Sequence, residues 1–182
     1  LQGNYIGVAS DGATPLPNEL GGITADYIED LTIGGDQPGE GNIFSGNGDG
    51  GIQPDGVIGL TVQGNYIGTD YTGLNPVPNG TKGMTLAYGT ENALVGGTTA
   101  GAANIIAFNP WFGVNVWQAE TQNVSVIGNS IHSNGNGLGI DLSNQNDNSD
   151  VSPNDPLDSD AGANDLLNFP LYTNIQEVSG DT

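Results

Sequence analysis

Apolar residues recur over the first 142 positions in short bursts of period two, with no competing stripe at the 3.6-residue period of a helix. Three kinds of burst follow one another in fixed order. The first reads Gly, apolar, any, apolar: Gly22-Ile23-Thr24-Ala25, Gly51-Ile52-Gln53-Pro54, Gly83-Met84-Thr85-Leu86, Gly113-Val114-Asn115-Val116 and Gly139-Ile140-Asp141-Leu142. The second alternates apolar with small or polar residues at Leu31/Ile33, Leu60/Val62, Ala93/Val95 and Val124/Val126. The third is Asn followed closely by Ile, at Asn4/Ile6, Asn42/Ile43, Asn65/Ile67, Asn104/Ile105 and Asn129/Ile131. Alternation of this kind gives a short strand one buried face. A triplet of such strands occupies about 26–32 residues throughout.

A longer period encloses the triplets. Leu1-Gln2-Gly3-Asn4-Tyr5-Ile6-Gly7 returns as Val62-Gln63-Gly64-Asn65-Tyr66-Ile67-Gly68, an offset of 61, and Val126-Ile127-Gly128-Asn129-Ser130-Ile131 is a third, degraded copy. A β-sandwich has no reason to preserve such a translation, whereas a parallel solenoid requires it, because each residue class stacks on its copy about 4.8 Å away. Asn suits the corners, since it tolerates left-handed backbone angles and its amide can bond to the same residue one coil on. The chain is therefore read as all-β: a right-handed, single-stranded parallel β-helix of about five coils, followed by an acidic C-terminal cap or loop.

Ile23, Ile33, Ile43, Ile52, Val62, Ile67, Met84, Val95, Ile105, Val114, Val126, Ile131 and Ile140 are expected to point inward in stacked columns. Long loops are expected after the third strand in odd coils (7–21 and 68–82) and before it in even coils (34–41 and 96–103), forming ridges at alternate corners. Residues 1–142 form the β-helix in this reading, 143–171 an acidic segment, and 172–182 the start of a linker or further module. Because Leu1 aligns with Val62, inside a second-strand segment, both ends are expected to be cut from a longer chain.

Composition narrows the partners. The formal net charge is −20, with 21 acidic residues set against Lys82 alone, and Arg and Cys are absent. Phosphate binding needs clustered cations, so nucleic acid is excluded as a partner, and anionic membrane surfaces are disfavoured. No apolar run approaches the roughly 18–20 residues that span a bilayer, so no membrane insertion is expected.

The segments Gly64-Asn65-Tyr66-Ile67-Gly68-Thr69-Asp70, Val95-Gly96-Gly97 with Asn104-Ile105-Ile106, and Gly139-Ile140-Asp141-Leu142 resemble secreted bacterial β-helix repeat proteins of the pectate-lyase-like superfamily. The acidic stretch from Pro153 to Pro170 resembles the one that follows the last coil there. The resemblance implies a large extracellular or cell-surface protein, often modular and usually without a known reaction. Fold alone does not give function.

Several residues could carry chemistry. Lyases on this fold use Arg or Lys helped by Ca²⁺; here Lys82 reads as a solvated loop cation. Hydrolases need two or three carboxylates converging at about 5–9 Å. The outward positions Thr24, Gln53, Thr85, Asn115 and Asp141 supply one acid, so no acid pair and no enzyme is expected. His132 lacks a Ser or Cys relay. Phe108, Trp111, Phe112 and Trp117 fall within ten positions and could cover the coil edge, contact a protein, or stack on sugars. Asn79-Gly80-Thr81 and Asn123-Val124-Ser125 are formal glycosylation sequons.

Between Asp141 and Asp165 stand seven Asp and no cation. This is either a solvated linker or a Ca²⁺ site. Asp158-x-Asp160-x-Gly162-x-Asn164 has the alternate spacing that delivers oxygens to one point, with Asp155 and Asp165 as further ligands. The function expected from these features is non-enzymatic: a calcium-stiffened segment of an extracellular stalk, adhesin or fibre that self-associates or joins neighbouring repeats. The alternative is a carbohydrate-binding or carbohydrate-processing β-helix using the aromatic cluster, with polysaccharide as partner.

Overall fold

The strands pair in parallel, each with its copy one coil away rather than with its neighbour in sequence. The computed structural model describes residues 1–143, 151, 153–157 and 161–167. The first strands of the triplets are β2 (Ile23–Asp26), β5 (Ile52–Asp55), β8 (Met84–Leu86), β11 (Val114–Trp117) and β14 (Ile140–Ser143), stacked in that order as the first sheet. The second sheet stacks β3 (Thr32–Gly34), β6 (Thr61–Gln63), β9 (Glu91–Gly96) and β12 (Gln122–Ile127). The third stacks β1 (Tyr5–Ile6), β4 (Ile43–Phe44), β7 (Tyr66–Ile67), β10 (Ile105–Ala107) and β13 (Ser130–His132). The result is a parallel β-solenoid of four complete turns, β2 to β13, rather than the five expected, because β1 and β14 are single strands flanking them.

The core lies inside the three sheets. Ile33, Val62 and Val95 stack from the second sheet, and Ile52, Met84 and Val114 from the first, all essentially unexposed. In the third sheet the inward column is Ile6, Phe44, Ile67, Ile106 and Ile131. Ile43 and Ile105, expected inside, point outward in register with Tyr5 and Tyr66. Ile43 is buried by other means: Val8 and Val77, from the two long loops, close over it beside Tyr66. Ile140, in the last strand of its sheet, is 44 % exposed.

Two asparagine ladders flank the third sheet. Before it, Asn4, Asn42, Asn65, Asn104 and Asn129 form a chain in which each Nδ2 donates to the next Oδ1 at 2.8–3.0 Å. The same oxygens accept the backbone amides of Asn4, Asn42, Asn65 and Asn104. After it, Asn18, Asn47, Asn79, Asn109 and Asn134 repeat the arrangement at 2.8–3.2 Å. Each ladder amide except the first also donates to a carbonyl one coil back, as Asn79 does to Phe44. Buried corner groups that no strand could satisfy are thereby paired.

The long loops run at 7–22 and 68–83 after β1 and β7, and at 35–42 and 97–104 before β4 and β10, as the doubled period requires. Each ridge is tied coil to coil: Tyr71 N–H donates to Gly12 O at 3.0 Å on one side, and Thr99 Oγ1 to Asp36 Oδ2 at 3.2 Å on the other. At the other end of the stack, the 3₁₀ turn Ala163–Leu166 lies against β11, β12 and β14, and Ala163 enters the core.

Candidate functional site

Two outward faces gather chemistry. On the first sheet the alternation continues one step beyond the four-residue motif, so a second outward column follows Thr24, Gln53, Thr85, Asn115 and Asp141. It reads Asp26, Asp55, Ala87, Trp117 and Ser143, with Asp26 and Asp55 directly paired across adjacent strands. An acid pair therefore exists where none was expected. Asp55 is 9 % exposed; its Oδ2 accepts from Gln53 Nε2 at 3.0 Å, and its Oδ1 is buried without a partner among the described residues. Burial pushes its pKa up, the Gln53 bond opposes this, and the Asp26 charge adds to the rise. Beside the column Tyr88 meets Trp117 edge to face, with ring centroids 5.5 Å apart. The Tyr27 ring lies over Gly56, next to Asp55.

Lys82 belongs to this face rather than to solvent. It is half-buried; desolvation lowers its pKa, while Asp49 and Asp141 act to raise it. Asn115 Nδ2 donates to Asp141 Oδ2 at 2.9 Å and to Ser143 Oγ at 2.7 Å, so this end of the face is buried polar structure.

The second face is the outside of the third sheet, where the two loop ridges enclose a groove of about 810 Å³. Tyr5 and Tyr66 of the outward column line its floor, with Ile43 between them buried beneath Val8 and Val77. Loop 35–42, joined by Ala100 and Gly101, forms one wall, and Tyr71 stands opposite. At the tight corner between these loops Gly64 has φ +67°, and a Cβ there would run into the carbonyl oxygens of Gly35 and Gly101. Only glycine fits that position.

The aromatic cluster read from the sequence is dispersed. Trp117 joins Tyr88 on the first sheet, and Phe108 meets His132 edge to face at 5.7 Å. Phe112 is buried with its ring against Gly137, and Trp111 is half-exposed. The sequon residue Asn79 is 1 % exposed and held in a ladder, so it offers no amide for a glycan; Asn123 is exposed.

Of the expected calcium ligands, Asp158 and Asp160 lie outside the described residues. The Asn164 side chain is committed to β12: its Oδ1 accepts from Val124 N–H at 2.8 Å and its Nδ2 donates to Val124 O at 3.1 Å. Asp165 is exposed and Asp155 half-buried. Among the described residues no three His, Asp or Glu side chains converge on one point, and no helix is long and apolar enough to cross a membrane.

No family model matches the chain, and no match was found among curated proteins or solved structures.

Proposed function

We propose that the chain is a structural segment of an extracellular stalk, adhesin or fibre, stiff along its stack and joined end-on to like repeats. The observation that carries this reading is the pair of asparagine ladders, which bond every coil to the next on both sides of the third sheet. The resemblance of the Gly64–Asp70 and Val95–Ile106 segments to secreted, pectate-lyase-like surface repeats supports an extracellular setting. Among the described residues β1 and β2 end their sheets and offer their edges to a further coil, whereas the β3 edge is met by Leu1, whose amino group donates to Thr32 O and whose carbonyl accepts from Gly34 N–H. Ca²⁺ bound by Asp155, Asp158, Asp160 and Asp165 would relieve the repulsion of the acidic segment, with Asn164 already engaged. The test is immunogold labelling of the native producing cells with an antibody against the exposed long loops. Label along filaments or surface projections is expected; label confined to the cell interior overturns the proposal.

A second reading, carbohydrate processing on the first sheet, is favoured by one observation: the unpartnered Oδ1 of Asp55 beside Asp26 and the Tyr88–Trp117 pair. Release of reducing ends from a polysaccharide panel, lost in Asp55→Asn, would support it; no release by the unaltered chain would remove it.

A further inference from the structure

We propose that the corner where the first sheet turns toward the second docks an arginine side chain of a basic partner protein, held by Asp26 and Asp55 beside the ring of Tyr27. The two acids point outward in register on adjacent strands, whose spacing is about 4.8 Å. Asp26 is exposed and meets an incoming group first. Asp55 is nine-tenths buried; Gln53 occupies its Oδ2, and among the described residues nothing bonds to its Oδ1. A buried acceptor is costly to leave unpaired, and a donor from outside relieves that cost. Two carboxylates one coil apart also repel each other until a cation sits between them. A guanidinium answers both needs, because it carries a fixed charge and five N–H donors in one plane and can bond both acids.

The aromatic side of the site is built at some cost in backbone strain. Tyr27, Gly56 and Tyr88 occupy one corner position in successive coils, and all three have left-handed backbone, with φ of +51°, +65° and +52°. Glycine adopts that conformation freely and tyrosine does not, yet tyrosine stands there twice. Gly56 leaves the space that the Tyr27 ring uses, since a Cβ at Gly56 would run into that ring. The ring thus lies along the stack next to Asp55, while Tyr27 as a whole stays 77 % exposed. Tyr88 and Trp117 continue the aromatic surface along the stack. Arg stacks on such a face and gains cation–π attraction there.

The surroundings set the kind of partner. The neighbouring column is Glu29, Ile58 and Glu91 in register, with Ile58 exposed between the two acids. A segment alternating Arg with apolar residues complements it in charge and character. A second copy of these 182 residues cannot supply the group: they contain no Arg, and Lys82 is half-buried within reach of the Asp49 and Asp141 charges. A hard metal ion wants six to eight oxygens, and among the described residues no third acid or His joins the pair. Anionic partners are repelled by the net charge of −20. The site therefore addresses a protein other than the like repeats met at the ends of the stack. No bond is broken at it, unlike carbohydrate processing by the same acids.

Fluorescence anisotropy of a labelled peptide, Gly-Ser-Leu-Arg-Leu-Arg-Leu-Gly-Ser, titrated with the full chain at about 0.15 M salt tests the proposal. The peptide should bind, and its twin with citrulline, neutral and of the same shape, should not. Asp55→Asn and Tyr27→Gly should each weaken binding at least about tenfold. Glu19→Gln, which removes one negative charge from an exposed loop position, should leave it unchanged. Tyr27→Gly relieves the left-handed strain and Asp55→Asn removes a buried charge, so both variants fold, which their melting temperatures check. No binding by the Arg peptide, or equal binding by the citrulline twin, overturns the proposal. So does an equal loss in Glu19→Gln, which would make the attraction diffuse. Displacement of the peptide by calcium chloride at constant ionic strength would assign the acids to a metal and overturn it too. Release of reducing ends reads the processing activity separately, so failure of either is distinguishable from failure of the other.

Discussion

Asp55 holds one carboxylate oxygen against Gln53 and buries the other without a partner among the described residues, beside Asp26. Its pKa is raised in the folded chain, so between the ordinary carboxylate value and that raised value the folded chain keeps a proton the unfolded chain has released. The stability this group contributes is complete below that window and is lost as pH rises through it. Asp55→Asn should therefore raise the melting temperature at neutral pH, with the gain shrinking as pH falls through that window and gone below about 4. A gain that is constant with pH would contradict the assignment. Asp70 behaves oppositely. Burial raises its pKa, but hydrogen bonds from Asn75, Thr72 and the amides of Asn75 and Leu74 outweigh it and hold the group at about 2. Asp11 is held at about 2 by the Thr14 side chain and the amides of Thr14 and Ala13. Stability from both is present above the ordinary carboxylate value and fades as pH falls toward about 2, so the long loops they organise should lose exchange protection first in acid. Neighbouring residues also test the register. Ile106→Ala should cost about 2–5 kcal/mol by opening the core, and outward-facing Ile105→Ala clearly less, as read by chemical denaturation.

At the scale of the strand and its corner, the ladders carry the prediction. Asn79→Ala leaves the Asn47 backbone N–H without its partner, at about 1–3 kcal/mol, and removes one of two bonds at the Phe44 carbonyl, which keeps Gly68 N–H, and at Asn47 Nδ2, which keeps Ile6 O. Asn18→Ala, at the exposed end of the same ladder, should cost far less by the same denaturation measurement. The first ladder could be read from the sequence because an Asn stands immediately before every third strand, preceded by Gly at all but Asn104. The second could not. Asn47 and Asn109 follow their strands closely, while Asn18 and Asn79 come after long loops, so insertion of the loops hides their equivalence. The third-strand register was obscured by doubled apolar residues, Ile43-Phe44 and Ile105-Ile106, where alternation cannot choose. Tyr5-Ile6 and Tyr66-Ile67 settle it, since the exposed partner there is the tyrosine. The acid column was within reach of the same alternation, carried from Thr24 to Asp26 and from Gln53 to Asp55. The groove was not, because it arises only when loops from separate coils stand over an outward column.

For the whole molecule, three features act along one axis: stacked core columns, two asparagine ladders, and ridges bonded across two coils. Solenoid stability is a sum over coils and their interfaces, and here the interfaces are reinforced at each corner flanking the third sheet. A segment of this kind should carry tension as one unit rather than peel coil by coil. Single-molecule pulling between the two ends of the solenoid tests this most directly. One rupture that releases the contour length of residues 1–143 together is the predicted result; a series of low-force steps, each releasing about one coil, would contradict it.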